Sequence, residues 1–173
     1  MGKCVDAAPV VQDGRIYVGS HAGLFACISL ENGIFEWVQS KAFEGDRIEA
    51  AATVIPGAIL IGTLRGILYC LDRENGDVIW RFDTGGAIKS SPTFVACQNS
   101  IILASHGRRL YLIAIPEPGC QPSVRWNASL DSSGIVAKVV CSSIAKLAFT
   151  CTLKGSIFAS HLSSGQFSKV EKE

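Results

Sequence analysis

The chain has 173 residues, of which 48% are hydrophobic and 18% charged, and its formal net charge is +1. This balance gives no electrostatic reason to expect nucleic-acid binding, and no cluster of lysine and arginine suggests a membrane surface. The sequence has no run of 18 apolar residues and no apolar segment behind a charged N-terminus. We therefore expect neither a membrane-spanning helix nor a secretion signal, and we expect a cytoplasmic location.

A repeat of about 43 residues organises the sequence. Three pairs of residues recur at this spacing: Gly23 with Gly66, Gly33 with Gly76, and Trp37 with Trp80. A third copy places Arg108 at the hairpin-glycine position and Trp126 at the tryptophan position, and a fourth has Gly155 but Lys169 where tryptophan is expected. We divide the chain into four units of one domain, 1–173, at about 1–44, 45–86, 87–134 and 135–173.

Each unit is predicted to contain four short antiparallel strands, because β-rich runs alternate with Gly-bearing turns such as Asn75-Gly76. First strands are expected at 5–11, 49–54 and 89–94, where small residues recur. Second strands are expected at 14–20, 58–63, 100–105 and 146–151, and third strands at 24–30, 67–72, 110–115 and 156–161. The outer strands carry the tryptophans, with 166–170 in the fourth unit. No stretch keeps a helical period without Gly or Pro, so we expect almost no helix.

A period of 40 to 50 residues with several strands and a recurring tryptophan is typical of propeller blades. We therefore predict an all-β fold, a partial β-propeller of four four-stranded blades in an open arc, in which the tryptophan rings fill the wedge between blades. An open arc leaves two apolar blade faces exposed, and these faces favour self-association.

Seven cysteines form no CxxC pair, and their number is odd. Cys27 and Cys70 occupy the same position in consecutive repeats, where the third and fourth repeats carry Leu112 and Ala159, so this is a core position. We expect reduced, buried thiols.

We predict no catalytic, cofactor-binding or metal-binding residue in the chain, and no cofactor. His21 and His106 are equivalent positions, and the other repeats have leucine there, so half-buried packing is favoured over metal ligation. His161 has no partner at ligand spacing. No G-x-S-x-G motif marks a nucleophile.

The segments 14–37, GRIYVGSHAGLFACISLENGIFEW, and 57–80, GAILIGTLRGILYCLDRENGDVIW, resemble the PQQ-like, or quinoprotein-type, propeller repeat. That pattern has an aspartate in the hairpin turn, where this chain has Ala22, Arg65, Gly107 and Lys154. The resemblance implies a ring of about seven or eight blades, of which four would be half. The chain would then be a fragment of a larger propeller.

Four further segments, GKCVDAAP (2–9), VGSH (18–21), GDRIEAAA (45–52) and AIKSSPT (87–93), are similar to the C-terminal propeller of the β-alanine-activating enzyme family, which is related to acyl-CoA synthetases. This resemblance implies a parent ligase that activates an acid or amino acid by adenylation. The chain itself would be a non-catalytic interaction module, docking a protein partner or the carrier and adenylation domains of that parent.

Two alternatives remain open. One is a fragment derived from a PQQ-dependent dehydrogenase, although a quinone site in that family implies two adjacent cysteines, which this sequence lacks. The other is a propeller scaffold for protein assembly. The fold alone does not choose among the three.

Overall fold

The computed structural model describes residues 3–130 and 134–170, and these residues form an all-β protein. Sixteen strands make four separate four-stranded sheets, and the helical structure of the described residues consists of two short 3₁₀ turns, Lys41–Phe43 and Ala96–Gln98. None of the helical structure is long or apolar enough to cross a membrane. The predicted all-β fold is confirmed, and the four sheets are the blades of a β-propeller.

Each sheet joins four consecutive strands in antiparallel order. The first blade contains β1 Val10–Gln12, β2 Arg15–Gly19, β3 Phe25–Ser29 and β4 Phe35–Gln39, and the second contains β5 Thr53–Ile55, β6 Ala58–Gly62, β7 Ile67–Asp72 and β8 Val78–Asp83. The third contains β9 Thr93–Val95, β10 Ser100–Ser105, β11 Arg109–Ala114 and β12 Ser123–Ser129. The fourth contains β13 Val140–Ser142, β14 Leu147–Cys151, β15 Ile157–His161 and β16 Phe167–Val170. The chain divides into two compact units, Met1–Ile88 with the first two blades and Lys89–Glu173 with the other two.

The predicted first strands were too long and began too early. In the structure they are β1, β5 and β9, each of three residues. Immediately before the predicted strand 49–54, the Ile48 N–H donates to the Ser20 carbonyl of the first blade at 3.2 Å. Because that donor bonds to the hairpin of the preceding blade, it cannot pair within its own sheet.

The hairpin turns follow the sequence prediction. Gly23, Gly66 and Gly155 have positive φ, and Arg108, which stands at the glycine position of the third repeat, has φ of 69° as well. The glycine has a second purpose in the first repeat, where a Cβ on Gly23 would lie 2.7 Å from the backbone of Gly45. The turn therefore needs both the left-handed backbone and the missing side chain.

A β-bulge recurs in the outer strand pair of the first three blades. It follows Cys27, Cys70 and Leu112, which pair with Trp37, Trp80 and Trp126 respectively. In the fourth blade the corresponding register runs without a shift, and Ala159 pairs with Ser168. Ser168, not Lys169 as predicted from spacing, therefore stands opposite the residue equivalent to Cys70.

Candidate functional site

Each of the two compact units, 1–88 and 89–173, contains one junction between consecutive blades. A tryptophan ring lies in each of these two junctions. The Trp37 ring lies over Gly76, where an added Cβ would be 2.6 Å from the ring, and Trp37 Nε1 donates to the Arg73 carbonyl at 3.2 Å. Trp126 lies in the same way over Gly165, and its Nε1 donates to the Leu162 carbonyl at 2.9 Å. The rings thus fill a structural position, as predicted, with their polar atoms satisfied.

The junction in the first unit buries one face of each blade. One apolar cluster combines the first-blade residues Tyr17, Phe25 and Cys27 with the second-blade residues Ile59, Ile61, Tyr69 and Leu71. In the second unit, a cluster combines the third-blade residues Ile102, Leu110 and Leu112 with Ala148 and Phe158 of the fourth. In both junctions the preceding blade contributes its tryptophan-bearing face, because Cys27 and Leu112 pair with Trp37 and Trp126.

The equivalent face of the fourth blade is exposed and apolar. Phe149 and Ile157 are 36% and 43% exposed, whereas their second-blade equivalents Leu60 and Leu68 are fully buried. Strand pairing places Val140 beside Phe149 and Val170 beside Ile157, which extends the apolar surface across the sheet. We name Val140, Phe149, Ile157 and Val170 the fourth-blade face.

The first blade exposes its other face, the one that does not carry the tryptophan. Val11 pairs with Ile16, and Val18 pairs with Ala26, which in turn pairs with Val38. Val11 and Val38 are 58% and 51% exposed. We name this surface the first-blade face; it consists of Val11, Ile16, Val18 and Val38. It corresponds to the face of the second blade that packs on Tyr17 and Phe25.

Ion pairs link the two blades of the first unit. Arg15 Nη1 and Nη2 donate to the two carboxylate oxygens of Glu74 at 2.7 and 2.8 Å, and Arg15 Nε lies 2.7 Å from Glu36. Arg73 pairs with Asp13 at 2.7 Å and donates to the Tyr17 hydroxyl at 3.0 Å. The hydrogen bonds from Arg15 lower the pKa of the Glu74 carboxyl. The pairs of Arg15 with Glu74 and of Arg73 with Asp13 join the two blades.

The three histidines have different surroundings. His21 is half-buried, as predicted, and its Nε2 lies 3.1 Å from Asp6 Oδ2 and 3.6 Å from Glu49 Oε1. His106 is exposed, so half-buried packing is wrong for this residue, although its ring lies against Gly134. His161 lines an open groove of about 700 Å³ together with Asn127, Ser164 and Phe167. It is the one titratable group among the lining residues, so the groove offers no acid–base pair.

All seven cysteines are free, as predicted, but four of them, Cys4, Cys97, Cys120 and Cys151, are exposed. The expectation that the thiols are buried is therefore wrong for these four. It holds for Cys27 and Cys70, which are buried in the core. Burial raises the pKa of the Cys70 thiol to about 12, and burial together with the Glu36 carboxylate raises that of Cys27 to about 11.

Residues 3–82, which include the first two blades, match the PQQ_2 family model, described as outer membrane protein assembly factor BamB. No curated protein matches the chain. The first two blades are therefore similar to the repeats that this family model describes.

Similar solved structures confirm the propeller fold of the whole chain. BamB from Moraxella catarrhalis has a TM-score of 0.78 at 13% identity, over 95% of this chain and 52% of that one. The quinohemoprotein alcohol dehydrogenase from Comamonas testosteroni has a TM-score of 0.76 at 16% identity, over 96% and 34%. The computationally designed Ika4 protein has a TM-score of 0.76 at 10% identity, over 99% and 94%. The chain thus spans about half the length of the BamB chain and a third of the dehydrogenase.

Proposed function

We propose that the chain is a non-catalytic protein-interaction module that docks through the fourth-blade face. The observation that carries this proposal is the exposure of Phe149 and Ile157 at positions that are buried core in the other three blades. Contiguous apolar surface of this kind is characteristic of an interaction site. His161 is the one titratable group among the residues that line the groove, which gives no reason to prefer an enzymatic role.

The occupant that fits the fourth-blade face is the first-blade face of a second copy. In each compact unit, the tryptophan-bearing face of one blade packs on the opposite face of the next blade. The fourth-blade face is of the first kind, and the first-blade face is of the second. A contact between two copies would repeat that arrangement with the same classes of side chain. Such a heterologous contact forms a closed ring where its rotation permits.

Sedimentation velocity over a range of protein concentrations tests this proposal. The wild-type chain should sediment as a dimer or larger species. Phe149→Glu and Ile157→Glu should shift it to monomer, and so should Val38→Glu on the complementary face, because a buried unpaired carboxylate opposes the contact. Ile144→Glu is the matched control: Ile144 is 95% exposed, lies outside both faces, and its substitution should leave the mass unchanged.

Circular dichroism confirms that each variant is folded before its mass is interpreted. A compact wild-type monomer at every concentration would overturn the proposal. An association that Ile144→Glu abolishes as completely as Phe149→Glu would overturn the assignment to the fourth-blade face.

We further propose that the module belongs to a cytoplasmic acid-activating enzyme of the adenylate-forming class, as a docking surface for its carrier or adenylation domain or for a protein partner. The support is the similarity of 2–9, 18–21, 45–52 and 87–93 to the propeller of the β-alanine-activating enzyme family. The coding sequence immediately upstream of Met1 tests this. An adenylation domain encoded there supports the ligase parent. A signal peptide there supports instead an assembly scaffold, the role that the match of residues 3–82 to the BamB model favours.

A further inference from the structure

Three side chains with metal-ligating atoms meet in the first unit. Cys4 Sγ lies 2.9 Å from Asp6 Oδ1, and His21 Nε2 lies 3.1 Å from Asp6 Oδ2. The ligating atoms of the three residues all lie within 4.8 Å of one another. Glu49, from the segment that leads into the second blade, adds a carboxylate oxygen 3.6 Å from His21 Nε2. Cys4 Sγ, His21 Nε2 and a carboxylate oxygen of Asp6 therefore cluster together, and the Glu49 carboxylate lies beside His21.

A backbone contact holds the cluster together without help from its side chains. The His21 N–H donates to the Cys4 carbonyl at 2.9 Å. The same bond joins Leu64 to Arg47 in the second blade and Leu153 to Gly134 in the fourth, each at 3.0 Å. Because these side chains differ completely, the fold does not require a thiol and an imidazole at the first of these contacts.

The His21 imidazole lacks a well-formed partner at Nε2. This atom is inaccessible to solvent and has no hydrogen bond of acceptable geometry in the described structure, although Asp6 Oδ2 is only 3.1 Å away. A buried polar atom without a hydrogen bond carries a desolvation cost. A cation seated between Nε2 and the two carboxylates removes that cost.

The ligand set matches Zn²⁺ better than Ca²⁺ or Mg²⁺. Zinc accepts thiolate, imidazole and carboxylate ligands at about 2.0 to 2.3 Å, whereas the hard cations bind oxygen. Bonds of this length in a tetrahedron separate the ligand atoms by roughly 3.3 to 3.8 Å. The Cys4–Asp6 and His21–Asp6 separations, 2.9 and 3.1 Å, lie a few tenths of an ångström below that range, and the His21–Glu49 separation of 3.6 Å lies within it.

We propose that Cys4, Asp6 and His21 bind one Zn²⁺ ion, with Glu49 as the fourth ligand. The Cys4 thiol loses its proton to the solvent on binding, and His21 ligates as neutral imidazole through Nε2. With Glu49, four protein ligands close the coordination sphere, which is the pattern of a structural zinc site. The ion then joins the N-terminal segment to the first hairpin and to the entry of the second blade.

The test uses the full-length chain, reduced and freed of metal, titrated with Co²⁺ and then with Zn²⁺. Wild-type protein should bind one Co²⁺ with the visible bands of tetrahedral cobalt and a sulfur-to-cobalt charge-transfer band, and Zn²⁺ should displace it. Cys4→Ser should abolish the charge-transfer band. His21→Leu should weaken binding at least about tenfold, since even outer-shell partners contribute that much.

Two matched controls accompany these variants. His106→Leu changes the repeat equivalent of His21, and Cys151→Ser changes another exposed thiol, so both should bind Co²⁺ as the wild type does. Leucine is natural at the His21 position in two other repeats, so His21→Leu should remain folded, which circular dichroism verifies. The proposal is overturned if the wild type fails to bind, if the charge-transfer band persists in Cys4→Ser, or if Cys151→Ser loses it.

Discussion

The junction between the first two blades and the junction between the last two share a tryptophan at the same position but differ in their charged side chains. Both place an indole over a glycine of the next blade, and both satisfy its Nε1 with a backbone carbonyl of that blade. The first junction adds the pairs that Arg15 and Arg73 form with Glu74 and Asp13. At the positions of Arg15, Arg73 and Glu74, the second junction has Ser100, Leu162 and Ser163. The indole on glycine is therefore the shared device of blade packing, and the ion pairs are a replaceable addition.

Removing the indole should have the largest effect. Trp37→Ala and Trp126→Ala should each lower the free energy of unfolding by about 3 kcal/mol, because a half-buried ring leaves a cavity between blades. Trp37→Phe and Trp126→Phe, which keep a ring but lose the N–H donor, should cost about 1 kcal/mol. Urea unfolding measures both series. A much smaller loss for Trp37→Ala than for Trp126→Ala would show that the ion pairs, and not the indole, hold the first junction.

Adding a methyl group under the indole should have a smaller effect. Gly76→Ala strains a backbone with φ of +76° and also displaces the Trp37 ring, so we expect a loss of about 2 kcal/mol. Gly33→Ala is the matched control, since Gly33 is the first-blade equivalent, has φ of +72°, and has open space around its Cβ position. It should cost only about 1 kcal/mol, by the same urea measurement. Equal losses for the two variants would mean that the ring moves aside freely.

The smallest expected effect on stability concerns the Cys27 thiol of the first junction, where the second junction has Leu112 at the same position. Below about pH 9 the Cys27 thiol is neutral in both the folded and the unfolded chain, and its contribution is complete. Between pH 9 and about 11 the unfolded chain ionises first, because burial raises the pKa of the folded thiol. Stability should therefore fall by at most about 1.4 kcal/mol per pH unit through this window.

Comparison of urea unfolding at pH 8 and pH 10.5 isolates this term. Cys27→Ala should be less stable than the wild type at pH 8 but should lose less between the two pH values. Cys151→Ala, which removes an exposed thiol, should keep the pH dependence of the wild type. An unchanged dependence in Cys27→Ala would place the alkaline loss elsewhere.

The repeat spacing predicted the four sheets because turn chemistry and strand alternation are local. Gly23 and Gly66 mark hairpins wherever they occur, and Arg108 could be assigned to the same turn by its spacing alone. The length of the first strands was not predicted, because it depends on how far they pair with the second strands, and in the second blade that pairing begins only at Thr53. The register of the fourth blade was also missed, because a bulge, which shifts pairing by one residue, leaves no clear mark in sequence.

The residues of the candidate sites were also only partly predictable from the sequence. Phe149 and Ile157 are as apolar as Leu60 and Leu68, so sequence cannot tell which face lacks a neighbour. The cluster around His21 escaped because its members come from three separate segments, with no motif spacing. One signal was available: Cys4 precedes His21 by the same 17 residues that separate Arg47 from Leu64, and Asp6 precedes Glu49 by one repeat of 43.

The main-chain bond between His21 and Cys4, repeated at Leu64 and Leu153, has an evolutionary consequence. Since only peptide groups make this bond, drift in the side chains leaves the scaffold intact. Each repeat can therefore acquire or lose its own chemistry independently of the others.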